Sequence, residues 1–411
     1  MATRSASRPR VARAAVLGAG TMGSAIAYLL AGAGIEVALI DLTDEAAERG
    51  LERCRRLAAE ALARGRLAEA ASAELVGRIT AGASFGDAGG AGVLIEAVFE
   101  DPAVKARALA EIEPHLAADA LLCSNTSSLP ISGLAESVAR PESFIGLHFF
   151  SPAEKMPLVE IVRGARTSEE TVQRALGLAA ALGKTAIVVR DSRGFFAGRV
   201  FATFIYEAIG MLVEGVPASM IEDACAQGGY PTPALALADE LGLELLRAVR
   251  RQYAAAAATA GEPWERYPAE RLIDELIDTH RRTGRRAGAG FYDYRDGMRV
   301  GLWAGLADIA PVLEPPVPPR ELVERLLFIE AIEAVRCLDE GVVASARDAN
   351  VGSLLGIGYP DWTGGVLAYV ERYGGGASGF VARARELAGA YGERFLPPAS
   401  LVRLCAATSR G

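Results

Sequence analysis

Two kinds of hydrophobic spacing divide this chain. In the first half, short continuous apolar runs, Ala12–Leu17, Val37–Ile40, Gly92–Ala97, Ala120–Ser124 and Thr185–Val189, alternate with stretches of helical periodicity. Apolar runs without alternation predict strands covered on both faces, because neither face then meets water. Helices are predicted from Gly23 through Ile26, Leu29 and Leu30, over Pro102–Ile112, and around Ser168–Leu182. Asp44 to Ile79, interrupted at Gly65, predicts a long helix followed by a second, or an extended helical pair. Such alternation predicts a doubly wound α/β sheet. The stretch FIGLHFFSPAEKMPLVEIV, Phe144 to Val162, breaks the rhythm. Its two apolar runs flank a proline-bounded turn, Ser151–Pro157, and predict an antiparallel pair with His148 and Glu160 equidistant from Glu154.

From Gly194 onward the pattern is helical. Phe195–Val213 is apolar nearly all round, which predicts a buried helix that another subunit can partly cover. A helix, a turn and another helix are expected from Met220, then a connection at Gly261–Pro268 and a helix over Ala269–Thr283. RRTGRRAGAGFYDYRDG predicts a glycine- and arginine-rich loop with a short extended end, and Pro311–Pro319 a linker. Beyond it, IEAVRCLDEGV (Ile332–Val342) repeats IYEAIGMLVEGV (Ile205–Val216), with the Glu207–Glu214 and Glu333–Glu340 spacings equal. Both copies run on to Gly-Tyr-Pro, at Gly229–Pro231 and Gly358–Pro360, over distances that differ by three residues. The expected domains are an α/β unit over 11–191 and two related all-helical units over 192–310 and 320–405.

Composition narrows the chemistry. With 411 residues, 51% of them hydrophobic, the chain can build more than one core. A net charge of -8 argues against nucleic acid or an anionic membrane as the main partner. The five cysteines have no metal-knuckle spacing and read as buried thiols in a reducing compartment. With only three histidines, no metal centre is expected. The basic N-terminus runs into apolar sequence broken by Gly18, Gly20 and Gly23, which suits a first strand and turn better than a membrane segment. A cytoplasmic protein is therefore expected.

The glycines sit in GAGTMG, Gly18 to Gly23, between the first strand and first helix, and Asp41 ends the second strand. This is the context that turns a bare glycine motif into a Rossmann-type dinucleotide site, with Gly18, Gly20, Thr21, Met22 and Gly23 against the cofactor. Asp41 can accept both ribose hydroxyls and would repel a 2′-phosphate, so NAD is favoured over NADP. The run NTSSLP, Asn125 to Pro130, follows a strand, which places Asn125, Ser127 and Ser128 beside the ligand crevice or in the cap of the next helix. His148 facing Glu160 is the arrangement of a general base oriented by a carboxylate, and can also be structural. Arg53, Arg55, Arg56, Arg64 and Arg66 read either as a solvated helix face or as receivers of an anionic substrate handle.

GAGTMG, IEAVFED, SNTSSLPI, GLHFFSPAEKMPLVEIV, DSRGFFAGRV, GAGFYDY and GIGYPDWTGG together resemble the L-3-hydroxyacyl-CoA dehydrogenase family, from about Val11 to Ala388. The chain looks most like the dehydrogenase part of bacterial multifunctional fatty-acid oxidation proteins, which carries two C-terminal helical domains. The resemblance implies NAD-dependent oxidation of (S)-3-hydroxyacyl-CoA to 3-oxoacyl-CoA. It makes His148 the catalytic histidine, Glu160 the residue that orients it, and Ser127 the serine near the substrate's 3-oxygen. It places Ala97, Glu100, Lys105 and Asn125 along the NAD site and makes Asp41 the adenosine-ribose acid. No hydratase domain precedes Met1, so a stand-alone dehydrogenase is expected, either homodimeric or monomeric with its helical domains as an internal pseudo-dimer. Gly198 stands where relatives have asparagine, Ser151 where many do, and GGYPTPA departs from GYPMGP. These departures keep open a non-CoA hydroxyacid or sugar-acid dehydrogenase, and a non-catalytic NAD-binding scaffold. Outside the motif roles, Lys105 reads equally as a solvated helix lysine, and His115 and His280 as surface residues. Tyr359 and Trp362 read as a packed turn, and Asp239, Phe291, Tyr292 and Tyr294 as interdomain packing and capping.

Overall fold

Strands β1 (Arg13–Leu17), β2 (Glu36–Ile40), β4 (Val93–Glu96) and β5 (Leu121–Ser124) are buried almost throughout, as continuous apolar runs require. The computed structural model describes residues 11–261, 267–309, 314 and 316–408. The basic N-terminal tail, most of the Gly261–Pro268 connection and much of the Pro311–Pro319 linker lie outside them. Contacts divide the chain into two units, ending and beginning at Phe195 and Phe196.

In the first unit, β3 (Ile79–Gly82), β6 (Phe144–Phe149), β7 (Leu158–Arg163) and β8 (Thr185–Arg190) complete an eight-stranded sheet of order β3-β2-β1-β4-β5-β6-β7-β8. The first six strands are parallel; β7 runs antiparallel to β6 and parallel to β8. Helices α1 (Thr21–Gly32), α2 (Asp44–Ala63), α3 (Glu69–Gly77), α4 (Pro102–Ile112), α5 (Ile131–Leu134) and α6 (Glu169–Ala181) form the connections. Thr43 caps α2, Asp101 caps α4 ahead of Pro102, and Ser168 caps α6, each accepting first-turn N–H groups. The chain order reverses between β1 and β4, which opens a crevice at their carboxyl ends. One expectation is corrected: Ile79 belongs not to the helical pair but to β3. That edge strand has four residues and only Ile79 buried, so no apolar run marks it in the sequence.

The second unit contains α7 (Ala197–Val213), α8 (Ala218–Gly228), α9 (Ala234–Leu241), α10 (Leu243–Ala260), α11 (Pro268–Asp278) and a hairpin of β9 (Tyr292–Arg295) and β10 (Met298–Leu302). Then follow α12 (Leu306–Ile309), α13 (Pro319–Asp339), α14 (Ala346–Gly352), α15 (Val366–Arg372), α16 (Gly376–Tyr391) and α17 (Ala399–Thr408). Gly229 and Gly358, the glycines of the two Gly-Tyr-Pro turns, both close a helix in the left-handed region. Asp239 is buried and accepts from Phe291 N, Tyr292 N and the Tyr294 hydroxyl, so it caps the hairpin within this unit. Trp362 donates to Gly228 O at 2.7 Å. Among the described residues no helix is long and apolar enough to cross a membrane.

Candidate active site

The glycine turn shows why its glycines are needed. Gly18 has φ +97°, and a Cβ there would lie 2.6 Å from Ala97 O; a Cβ on Gly23 would meet Gly18 O at 1.7 Å. Around Gly20 nothing lies within 4 Å of a Cβ position. Gly20 supplies no side-chain cap to α1, so the first-turn N–H groups around Thr21, Met22 and Gly23 are available to an anion. Asp41, at the end of β2, accepts from Ala19 N at 2.6 Å through one oxygen and from Leu42 N at 2.7 Å through the other. Phosphate room at Gly20 and a ribose acceptor at Asp41 fit a dinucleotide.

Across the crevice, Glu100 organises the loop after β5. One of its carboxylate oxygens accepts from the Thr126 hydroxyl, from Ser127 N at 3.1 Å, and from Ser128 N and Oγ at 3.3 and 3.2 Å. Its other oxygen is 3.1 Å from Lys105 Nζ. Burial raises the Glu100 carboxyl, but the Lys105 ammonium and the donors of the loop outweigh it, so its pKa lies below the ordinary carboxylate value. Lys105 is not a solvated lysine: it is 1% exposed and donates to Glu96 at 2.7 Å. Ser127 is exposed and its hydroxyl has no partner among the described residues. Asn125 accepts from Phe149 N at 2.9 Å, which ties this loop to the strand that carries His148.

On β6 and β7, His148 is paired in register with Glu160. His148 Nδ1 lies 2.8 Å from a Glu160 carboxylate oxygen. A carboxylate can only accept, so Nδ1 carries the proton and Nε2 presents its lone pair. The imidazole is flanked by Phe150 and Phe195, with ring centroids at 4.6 and 5.9 Å. Phe195 holds φ at +54°, a left-handed conformation that costs a bulky residue roughly 1–3 kcal/mol. Lys184 donates to Ala153 O and Met156 O at 2.6 and 2.7 Å and so anchors the turn that follows.

Residues 13–192 match the model of the 3-hydroxyacyl-CoA dehydrogenase NAD-binding domain, and residues 194–294 match that of its C-terminal domain. The chain belongs to the 3-hydroxyacyl-CoA dehydrogenase family. NAD is therefore its cofactor. A fatty acid oxidation complex subunit alpha from Shewanella sp. (strain MR-7) is 33% identical over 410 residues, covering 98% of this chain and 56% of the relative. The chain thus spans little more than half the length of the curated relatives it matches. A 3-hydroxybutyryl-CoA dehydrogenase of Escherichia coli K12 superposes with a TM-score of 0.84 at 26% identity, covering 97% of this chain and 99% of that one. An (S)-3-hydroxybutyryl-CoA dehydrogenase of Ralstonia eutropha gives 0.64 at 31% identity, covering 70% and 100%.

Among the arginines on and just after α2, Arg55 is paired with Glu48 and Glu52, Arg64 with Glu60, and Arg53 donates to Ala19 O. Arg56 has no partner among the described residues and lines a cavity of about 240 Å³ with Thr21, Met22, Arg53 and Ser151. Gly198 lies in the first turn of α7, in the second unit. Sequence reasoning missed Phe150, Phe195, Glu96 and Lys184. Phe150, Glu96 and Phe195 stand inside motifs already singled out; Lys184 carries no local signal, because its partners Ala153 and Met156 are distant in sequence.

Proposed function

We propose that this chain oxidises (S)-3-hydroxyacyl-CoA to 3-oxoacyl-CoA, with His148 as the acid–base residue. The observation that carries the reading is the 2.8 Å contact between His148 Nδ1 and Glu160, which leaves Nε2 as the free base. In the oxidative direction Nε2 takes the proton of the 3-hydroxyl, and in reduction it returns it. NAD, when bound, supplies the acceptor for the hydride that leaves C3. Glu160 fixes the tautomer and the ring plane; Ser127, with its unpartnered hydroxyl, holds the 3-oxygen. Gly18, Gly20, Thr21, Met22, Gly23, Asp41 and Ala97 hold the dinucleotide, and Asn125 joins its loop to the histidine strand. Arg56 and its cavity receive the anionic end of the thioester.

We read the second unit as two copies of one helical domain, over 192–310 and 320–405. Arg199 reaches Glu333 and Glu340, and Arg325, which lies 126 positions further on, reaches Glu207 and Glu214. Such reciprocal contacts are those of a twofold pair, which favours a monomer over a homodimer. Dispersed free cysteines support a cytoplasmic location.

The test is turnover with NAD on 3-hydroxybutyryl-CoA, a long-chain 3-hydroxyacyl-CoA and free 3-hydroxybutyrate. Turnover of the thioesters is expected. Activity on the free acid alone would overturn the thioester reading, and NADH binding without turnover of any of the three would leave a scaffold.

A further inference from the structure

We propose that Glu100 and Lys105, which the family resemblance puts along the cofactor, are positioning residues that fix Ser127 for the 3-oxygen. The inference rests on the reading of Ser127 as the residue that holds substrate oxygen. Its starting point is that the Lys105 ammonium is enclosed by partners within the protein. It donates to Glu96 Oε1 at 2.7 Å and to Val98 O at 3.2 Å, and it is ion-paired with Glu100 Oε2 at 3.1 Å. The side chain is 1% exposed, so a ribose or amide of the cofactor has no open path to it. The lysine is pinned from below as well, because Glu96 is fully buried and also accepts from Ser124 Oγ at 2.6 Å and Val98 N at 2.7 Å.

Glu100 stands between this anchor and the serine loop. Lys105 holds Oε2, and Oε1 is turned toward Thr126, Ser127 and Ser128, where it gathers two backbone N–H groups and two hydroxyls. Two N–H groups and a charged acceptor define the backbone of Ser127 more tightly than neutral partners would. The serine's own hydroxyl is left out of the network and exposed. Its backbone is thus fixed while its hydroxyl stays free, as an oxygen-holding residue requires. Thr126, fully buried, donates to Glu100 and accepts from Leu129 N at 3.0 Å, so the whole turn moves with the carboxylate.

A double-mutant cycle in the full chain tests this, with 3-hydroxybutyryl-CoA and NAD as substrates. Ser127→Ala is expected to lower kcat roughly 100-fold, the loss typical of one oxyanion donor. Glu100→Ala should lower kcat by a comparable factor, with the NADH dissociation constant from fluorescence titration unchanged. The pair E100A/S127A should be no worse than its worse member. Glu100→Gln keeps one oxygen acceptor for the loop but turns an amide N–H toward the Lys105 ammonium, so it should recover only part of the rate lost in Glu100→Ala. If E100A does not fold, Lys105→Gln with S127A takes its place, and the same non-additivity is expected. Losses that multiply, or a rate restored at saturating NAD with weakened NADH binding, would overturn the positioning role in favour of direct cofactor contact. An S127A enzyme with unchanged kcat would overturn the Ser127 reading itself, and this proposal with it.

Discussion

In the first unit the buried charged groups Glu160, on β7, and Lys105, on α4, each lead through a short chain of contacts to a side chain with a free polar atom. Glu160 holds His148, and Lys105 holds Glu100, which holds the Ser127 backbone. In the second unit the buried pair of Arg325 and Glu207 joins two helices, α13 and α7. Arg325, fully buried, lies 2.5 Å from Glu207 and 2.7 Å from Glu214 through Nη2, makes its aligned bond to Glu207 through Nε, and stacks on Tyr391 at 3.8 Å. Arg394 reaches the same two carboxylates. Arg199 makes the matching contacts to Glu333 and Glu340, but Glu340 is 50% exposed. On the proposed function, similar side chains serve reactivity in one place and register in the other. What separates the two uses is whether the cluster ends on a group open to a ligand.

The largest effect should come from the imidazole. His148→Ala is expected to lower kcat/KM by about 10²–10⁴-fold. Unaltered turnover would end the comparison, because the first unit's charges would then be structural too. Next, Arg325→Met should cost about 1–3 kcal/mol in urea unfolding, since Glu207 and Glu214 lose one buried cation and keep Arg394. Arg199→Met should cost only about 1 kcal/mol, because water reaches its partner Glu340. Equal costs would show that the two copies are energetically alike.

A third measurement follows Asp239, whose burial pushes its pKa up from 3.8 to about 6 against the opposing hydrogen bonds of Tyr292, Phe291 and Tyr294. Between those values the folded state binds the proton that the unfolded state has released. Its contribution to stability is therefore complete below about 3.8 and is lost as pH rises through about 6. The unfolding free energy should fall across that window by up to about 1.4 kcal/mol per pH unit, and Asp239→Asn should flatten the slope. The smallest effect is expected at the exposed Arg107–Glu111 pair, where Arg107→Ala should leave the urea unfolding midpoint unchanged.

The two helical copies also show how a repeat absorbs insertions. The three extra residues before the second Gly-Tyr-Pro divide between a longer connection, 340–345 against 214–217, and a wide helical turn at Ser353–Ile357. Gly358 still ends in the left-handed region like Gly229, so the turn is kept and the slack is taken up before it.

Local spacing made much of this legible. The glycine turn, Asp41 and the His148–Glu160 pairing could be read because strand, turn and pleat tie residues a few positions apart to known geometry. The repeated glutamates were visible for the same reason. Their arginines were not, since Arg199 and Arg325 find partners more than 100 positions away in the other copy. Lys105 could be read equally as a cofactor contact or a solvated helix lysine until the fold buried it against Glu96 at the end of β4. By itself, then, the sequence determined the order of the elements, the dinucleotide turn and the facing of His148 and Glu160, all of which follow from short-range periodicity. Tertiary structure alone decided which charges are enclosed and which hydroxyl is left free, because enclosure depends on segments that are brought together only by packing.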